Sequence, residues 1–212
     1  MQRTVRKRPA AEPGRYVRRG NKITDIWVII LVHQIISQGM FVAKNIILSK
    51  KTGKQIRGNN REANISIAYF IVFIVASLII SILKQPIGEI RVLNSLSAIT
   101  IGLVLLFLNL IIAAASFVNL KDSWRVGVLE DQKTELISSG IYRFTRNPYF
   151  LSYLIMFVAY TVMLQNIILL VLSILGFVFV HKMILKEEQY LYSVHGAGYI
   201  QYTKKVPRYL FV

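Results

Sequence analysis

Apolar residues along this chain come in blocks of about membrane-crossing length, and the polar residues between the blocks are largely basic or aromatic. Residues 65–83 contain nothing more polar than Ser and Tyr, and residues 96–118 have Asn109 as their one strongly polar side chain. At about 1.5 Å per residue, each block is long enough to carry a helix across most of a hydrocarbon core about 30 Å thick. Residues 23–48 form a weaker block, interrupted by His33, Gln34, Ser37, Gln38 and Gly39, with Lys44 near its end. It either spans the membrane or lies in the interface. Residues 150–164 and 167–185, broken only by Gln165 and Asn166, predict a tight helical hairpin. Its first arm is short for a full crossing unless residues 147–150 already lie at membrane depth. The pattern predicts an all-α, multi-pass integral membrane protein with about five transmembrane helices.

Three regions follow from this pattern: a basic tail at 1–22, amino-terminal transmembrane helices over 23–118, and a polar, aromatic-rich region over 119–212 that holds the candidate chemistry. The tail combines basic residues with Pro9, Pro13 and Gly14, which predicts a disordered segment drawn to a membrane surface. The connection 119–149 is long, and long connections are usually functional or disordered. Trp124, Tyr142 and Phe144 argue for order. Pro148 pushes Asn147 away from the helical region and favours a helix starting just after Tyr149. The stretch around His195-Gly196, Tyr199 and Tyr202 reads as helix, turn, helix.

Composition changes the picture in two places. The chain is 54% hydrophobic yet carries a formal net charge of +16. The basic residues flank the apolar blocks, so the partners expected are anionic lipid headgroups and not nucleic acid. If all five blocks span, sixteen basic residues share the side of the 119–149 loop and the carboxy terminus, against ten on the other side. If the first block does not span, the split is twenty-four against two. Both place the polar region in the cytoplasm. Lys44 and a basic loop follow the first block where a cleaved signal peptide would have a small-residue cleavage site, so cleavage is not expected. There is no cysteine, and His33, His181 and His195 lack zinc-ligand spacing, so no metal site is expected. No Gly-rich phosphate loop opens a helix after a strand.

The remaining candidates are Arg146, the adjacent carboxylates Glu187 and Glu188, His195, and Tyr142, Tyr149, Tyr190, Tyr199 and Tyr202. Each reads in two ways. The carboxylates can be solvated charges facing Lys182 or Lys186, or they can hold a cationic ligand, since partial desolvation strengthens the attraction. Arg146 can anchor headgroups or clamp a carboxylate or phosphate with its planar fork. The tyrosines can sit in the headgroup layer or present ring faces to a cation. Asn109 reads as a helix–helix hydrogen bond or a ligand contact.

Taken in order, the motifs over about 109–210 resemble the isoprenylcysteine carboxyl methyltransferase family and its bacterial and phospholipid-methyltransferase relatives. The series runs Ser123-Trp124-Arg125-Val126-Gly127, Lys133-Thr134-Glu135-Leu136, Ser139-Gly140-Ile141-Tyr142-Arg143, Arg146-Asn147-Pro148-Tyr149, Glu187-Glu188, His195-Gly196, Tyr199, Tyr202 and Val206-Pro207-Arg208. The resemblance implies an S-adenosylmethionine-dependent membrane methyltransferase. Its cofactor pocket would be cytosolic, formed by the 119–149 loop and the carboxy-terminal segment, with a lipophilic acceptor entering from the bilayer. It further implies Arg146, Asn147 and Glu188 as catalytic positions, and Gly140, Tyr142, Arg146, Pro148, Tyr149, Glu187, Glu188, His195, Tyr199 and Tyr202 around the cofactor. Asn147 stands where the family signature has His, and an amide can hydrogen-bond but not titrate. The rival readings are an NADPH-dependent membrane sterol or steroid reductase, whose carboxy-terminal architecture is similar, and a non-catalytic lipid-binding scaffold.

Overall fold

The structure, a computed structural model, describes residues 25–54, 56–58, 61–83, 87–127 and 135–210. The disordered-tail expectation for 1–22, like Lys133 and Thr134, lies outside the described residues. The chain is all-α: α1 (Ile26–Thr52), α2 (Arg61–Leu83), α3 (Ser95–Leu120), α4 (Pro148–Leu164), α5 (Ile167–His195) and α6 (Ala197–Lys205), with short 3-10 turns at Lys121–Ser123 and Gly140–Arg143. Helices α1, α2, α3 and α5 are long and apolar enough to cross a membrane, and α4 is a shorter apolar helix packed among them. Their outer faces are those of a protein solvated by lipid, with Leu96 77% and Phe107 64% exposed.

Two boundaries differ from the hydropathy pattern, for one reason. Helix α1 runs on through Ser49, Lys50 and Lys51 to a Gly53 cap at φ 62, whose N–H donates to the Ser49 carbonyl at 2.9 Å. Helix α5 runs nearly three turns past residue 185 to His195, because Lys186, Glu187, Glu188 and Gln189 are good helix formers. Helix propensity continues where hydrophobicity stops, and this carries the two carboxylates on a rigid helix. In the opposite direction, α4 begins at Pro148 itself, where the missing N–H costs nothing in the first turn. The first apolar block is a full member of the bundle: Ile30 is completely buried in the core with Phe73, Tyr160 and Leu169.

Small residues set the closest approaches. A side chain at Gly102 would drive into Met163 of α4, so α3 and α4 lie backbone to side chain there. Gly176 of α5 faces the rings of Phe157 and Tyr69 in the same way. The α4–α5 turn is held by the loop before α3: Gln165 accepts from the Val92 and Leu93 amides at 3.1 and 2.7 Å, and Asn166 donates to the Ile87 carbonyl at 2.9 Å. At the other end of the bundle the α1–α2 loop pairs with the segment after α3, through Val126 N–H to the Ile56 carbonyl and Gly58 N–H to the Val126 carbonyl, each 2.9 Å. Trp124 donates to Asn45 of α1 at 2.8 Å. The α1–α2 loop, the 119–149 connection and the carboxy-terminal segment therefore share one end of the bundle.

Candidate active site

Gly140 opens the turn that carries the site loop. Its φ of 62 favours glycine, and a Cβ there would lie 1.9 Å from Asn119 Oδ1, the atom that accepts from the Ile141 amide at 2.7 Å. The loop then crosses to the carboxy-terminal segment. Arg146 N–H donates to the Pro207 carbonyl at 2.9 Å, and Thr145 Oγ1 donates to the Arg208 carbonyl at 3.0 Å. Pro148 is buried at the first position of α4 and fixes the direction in which the helix leaves.

Glu188 is the centre of a charged cluster. Its Oε1 accepts from Arg146 Nε at 3.2 Å and from Asn147 Nδ2 at 3.0 Å, while its Oε2 accepts from Arg208 Nε and Nη2 at 3.1 and 2.8 Å. Arg146 Nη1 turns to the end of α6, donating to the carbonyls of Val206 and Thr203 at 3.0 and 3.2 Å. Glu188 is only 9% exposed, and a carboxylate so placed needs this many donors to replace its lost water. Asn147 uses its amide hydrogens on Glu188 and, at 3.3 Å, on the Arg208 carbonyl. The amide at this position serves as a donor.

Beside the cluster lies a cavity of about 810 Å³ that reaches from the polar end of the bundle to membrane depth. Its polar end is walled by Tyr142, Arg146, Asn147, Glu187, Tyr199 and Tyr202, and its deep end by Tyr69, Phe157, Gly176, Phe179 and Val180. From Glu187 to Gly176 along α5 is about 16 Å, half the thickness of a hydrocarbon core. Helix α1 supplies a further wall through Gln38, Phe41 and Asn45. Tyr149 lines the cavity within an aromatic cluster, edge-on to Trp124 with ring centroids 4.8 Å apart.

The tyrosines at the polar end are held neutral. Burial pushes the Tyr142 phenol well up, and the nearby Glu187 adds to it. Burial likewise raises Tyr199, with Glu188 contributing, and Tyr202, which donates to the Tyr142 carbonyl at 2.6 Å. The Glu188 hydrogen bond pushes the Arg208 guanidinium further up and fixes its charge. Among the described residues, the buried polar atoms His195 Nε2 and Tyr199 Oη have no hydrogen-bond partner, and Tyr199 lines the cavity. Buried polar atoms without partners call for a ligand or ordered water.

Of the residues singled out from sequence, Tyr142, Arg146, Asn147, Tyr149, Glu187, Tyr199 and Tyr202 come together on the cavity wall. Glu188 stands behind them, facing the two arginines. Gly140 and Pro148 shape the loop, and His195 closes α5. Sequence reasoning did not single out Arg208 as a site residue, although its motif had been noticed, and it missed the α1 wall altogether. The spacing of Gln38, Phe41 and Asn45 on one helical face was a usable signal for the latter.

The family model for phospholipid methyltransferases matches residues 97–198, from the first turn of α3 to the start of α6. This is a family of integral membrane methyltransferases related to the isoprenylcysteine carboxyl methyltransferases, so the resemblance drawn from the motifs holds over that segment. No curated protein matches the chain. Helices α1 and α2, and Tyr199, Tyr202 and Arg208, lie outside the matched segment.

Proposed function

We propose that this chain, membrane methyltransferase-like over residues 97–198, transfers a methyl group from S-adenosylmethionine to a lipophilic acceptor that enters from the bilayer. The observation that carries the reading is the single cavity joining a carboxylate- and tyrosine-lined polar end to an apolar end at membrane depth. A polar cofactor and a lipid chain require those two environments in contact.

The residues present fit such a cofactor. Glu187 and the ring faces of Tyr142 and Tyr202 suit a cation, and the Tyr199 hydroxyl on the cavity wall, without a partner among the described residues, offers a hydrogen bond to a bound polar group. Bound there, S-adenosylmethionine supplies an activated methyl group on a sulfonium, for in-line displacement by the acceptor. The chain's own work is alignment and exclusion of water, and alignment alone is worth about 7–11 kcal/mol in favourable cases. Arg146 lines the cavity with its guanidinium held by Glu188 and by the Thr203 and Val206 carbonyls, while Asn147 and Arg208 fix Glu188 in turn, so a carboxylate on a bound ligand would meet a pre-set cation. The neutral phenols and the aromatic cluster around Tyr149 and Trp124 keep the meeting point of the two ends dry. With α1 spanning, sixteen basic residues against ten support a cytoplasmic site, and the last turn of α1 and the loop after it, with Lys50, Lys51 and Lys54, suit anionic headgroups at its mouth.

The test is transfer of radiolabel from methyl-tritiated S-adenosylmethionine into the organic phase of a bacterial polar lipid extract. Label should enter a lipid with wild-type protein and not with Glu187→Gln. Folded protein that leaves the extract unlabelled but oxidises NADPH in its presence would replace this reading with the reductase.

A further inference from the structure

A second polar cluster lies inside the bundle, reaching α4 one turn beyond the charged one, and the methyl-transfer reading gives it no role. Lys44 of α1 donates to the Lys121 carbonyl at the polar end of α3, and His33 lies about 16 Å further in, near the middle of a hydrocarbon core about 30 Å thick. His33 is 4% exposed and Asn109 2%. An ionisable side chain at that depth is unusual and needs a reason.

The hydrogen bonds have a definite sense. Asn109 Nδ2 donates to the Ser152 carbonyl at 2.6 Å, so the Asn109 oxygen, 2.9 Å from His33 Nε2, is the acceptor and Nε2 carries the hydrogen. The other ring nitrogen, Nδ1, then accepts from the Tyr160 hydroxyl at 2.8 Å. Tyr160 accepts from Gln34 Nε2 at 2.9 Å, and Gln34 Oε1 accepts from Gln38 Nε2 at 3.3 Å. Each link donates the same way, from Gln38 on the cavity wall to the backbone of α4, so the bonds polarise one another. A neutral imidazole completes the chain. A protonated one would offer two donors and break the Tyr160 link.

We propose that His33 is a positioning residue for the acceptor: through Gln34, Tyr160 and Asn109 it pins α1 to α3 and α4 at mid-membrane and so fixes the Gln38 side of the cavity. Helix packing alone would explain polar contacts between helices. It does not explain a chain that runs in one direction and ends on the one wall contributed by α1. Its functional arm rests on the cavity being an acceptor site, and its structural arm does not.

The chain has no cysteine, so spin labels at Ile35→Cys on α1 and Val158→Cys on α4 are unique, and both positions are exposed on the bundle's outer face. The α1–α4 distance distribution by pulsed electron resonance should be narrow in the parent. His33→Ala should broaden or shift it, and His33→Gln, which keeps a donor and an acceptor, should restore it in part. Gln38→Ala, which removes only the cavity end, should leave the distance unchanged. Methyl transfer into polar lipid extract should show the half-saturating extract concentration raised about tenfold in His33→Ala and Gln38→Ala, about the effect of one lost hydrogen bond with its partner stranded. Turnover at saturation and calorimetric affinity for S-adenosylhomocysteine should stay within about twofold. An unchanged distance distribution in His33→Ala overturns the pin. An equal loss of extract and S-adenosylhomocysteine affinity reduces the chain to general stability. A wild-type protein that binds no S-adenosylhomocysteine defeats the methyltransferase reading and leaves the distance measurement to decide the pin.

Discussion

Two buried polar clusters among the described residues are built on opposite principles. Around Glu188, at the polar end, formal charges are brought together and Arg146, Asn147 and Arg208 converge on one carboxylate. Around His33, at mid-membrane, the members are neutral and each donates to the next. The difference follows from the surroundings. Water and headgroups lie close to the first cluster, with Arg208 about a third exposed, so part of the desolvation penalty is avoided. No such relief exists in the bilayer core, where a group is best buried uncharged with each hydrogen-bonding atom used.

The comparison is broken hardest at its charged end. Glu188→Ala leaves Arg146 and Arg208 facing an empty space and each other, and should cost about 3–5 kcal/mol of stability together with cofactor binding. Thermal unfolding in detergent reads the first loss and S-adenosylhomocysteine calorimetry the second. Next in size, His33→Leu strands the Tyr160 hydroxyl and the Asn109 oxygen and should lower stability by about 2–3 kcal/mol in the same unfolding measurement, while leaving S-adenosylhomocysteine affinity intact. A smaller step is Arg208→Lys, which keeps the charge but loses the fork that reaches Glu188 through two nitrogens; about 1–2 kcal/mol is expected. Tyr202→Phe removes one hydrogen bond, to the Tyr142 carbonyl, for about 1 kcal/mol. Least of all, Lys51→Ala breaks an ion pair whose partners are 62% and 55% exposed, and the unfolding midpoint should not move measurably.

The two clusters also differ in how far the sequence reveals them. The apolar blocks located the four long helices and the shorter α4, because a membrane imposes length and composition together. The charged cluster was largely visible too: Arg146, Asn147 and Glu188 stand out as polar residues beside apolar runs, in an order that resembles a known family. Their pairing was not visible. Sequence reading assigned Arg146 and the carboxylates to opposite groups on a ligand, whereas the structure joins Arg146 to Glu188 and leaves Glu187 on the cavity wall. Adjacent residues on a helix point about 100° apart, so which of two neighbouring carboxylates meets the arginines depends on how the helix is rotated.

The neutral cluster was scarcely legible. Of the two readings Asn109 allows, a helix–helix hydrogen bond or a ligand contact, the structure shows the first, but His33 and Gln34 stand in the sequence as interruptions that weaken the first block. Their partners on other helices are 76 to 127 positions away, and no local pattern gives the rotation of those helices. Hydropathy counts each as a defect, while in the fold their polarity holds α1 in place.

Calorimetry of S-adenosylhomocysteine on detergent-purified protein tests the central claim most directly, with Glu187→Gln and Arg146→Ala as the informative variants and Lys51→Ala as the control. Saturable binding by wild type and control, lost in both site variants, is the predicted result. Protein shown to be folded that binds no S-adenosylhomocysteine, or binds it equally well in all four forms, would contradict the account.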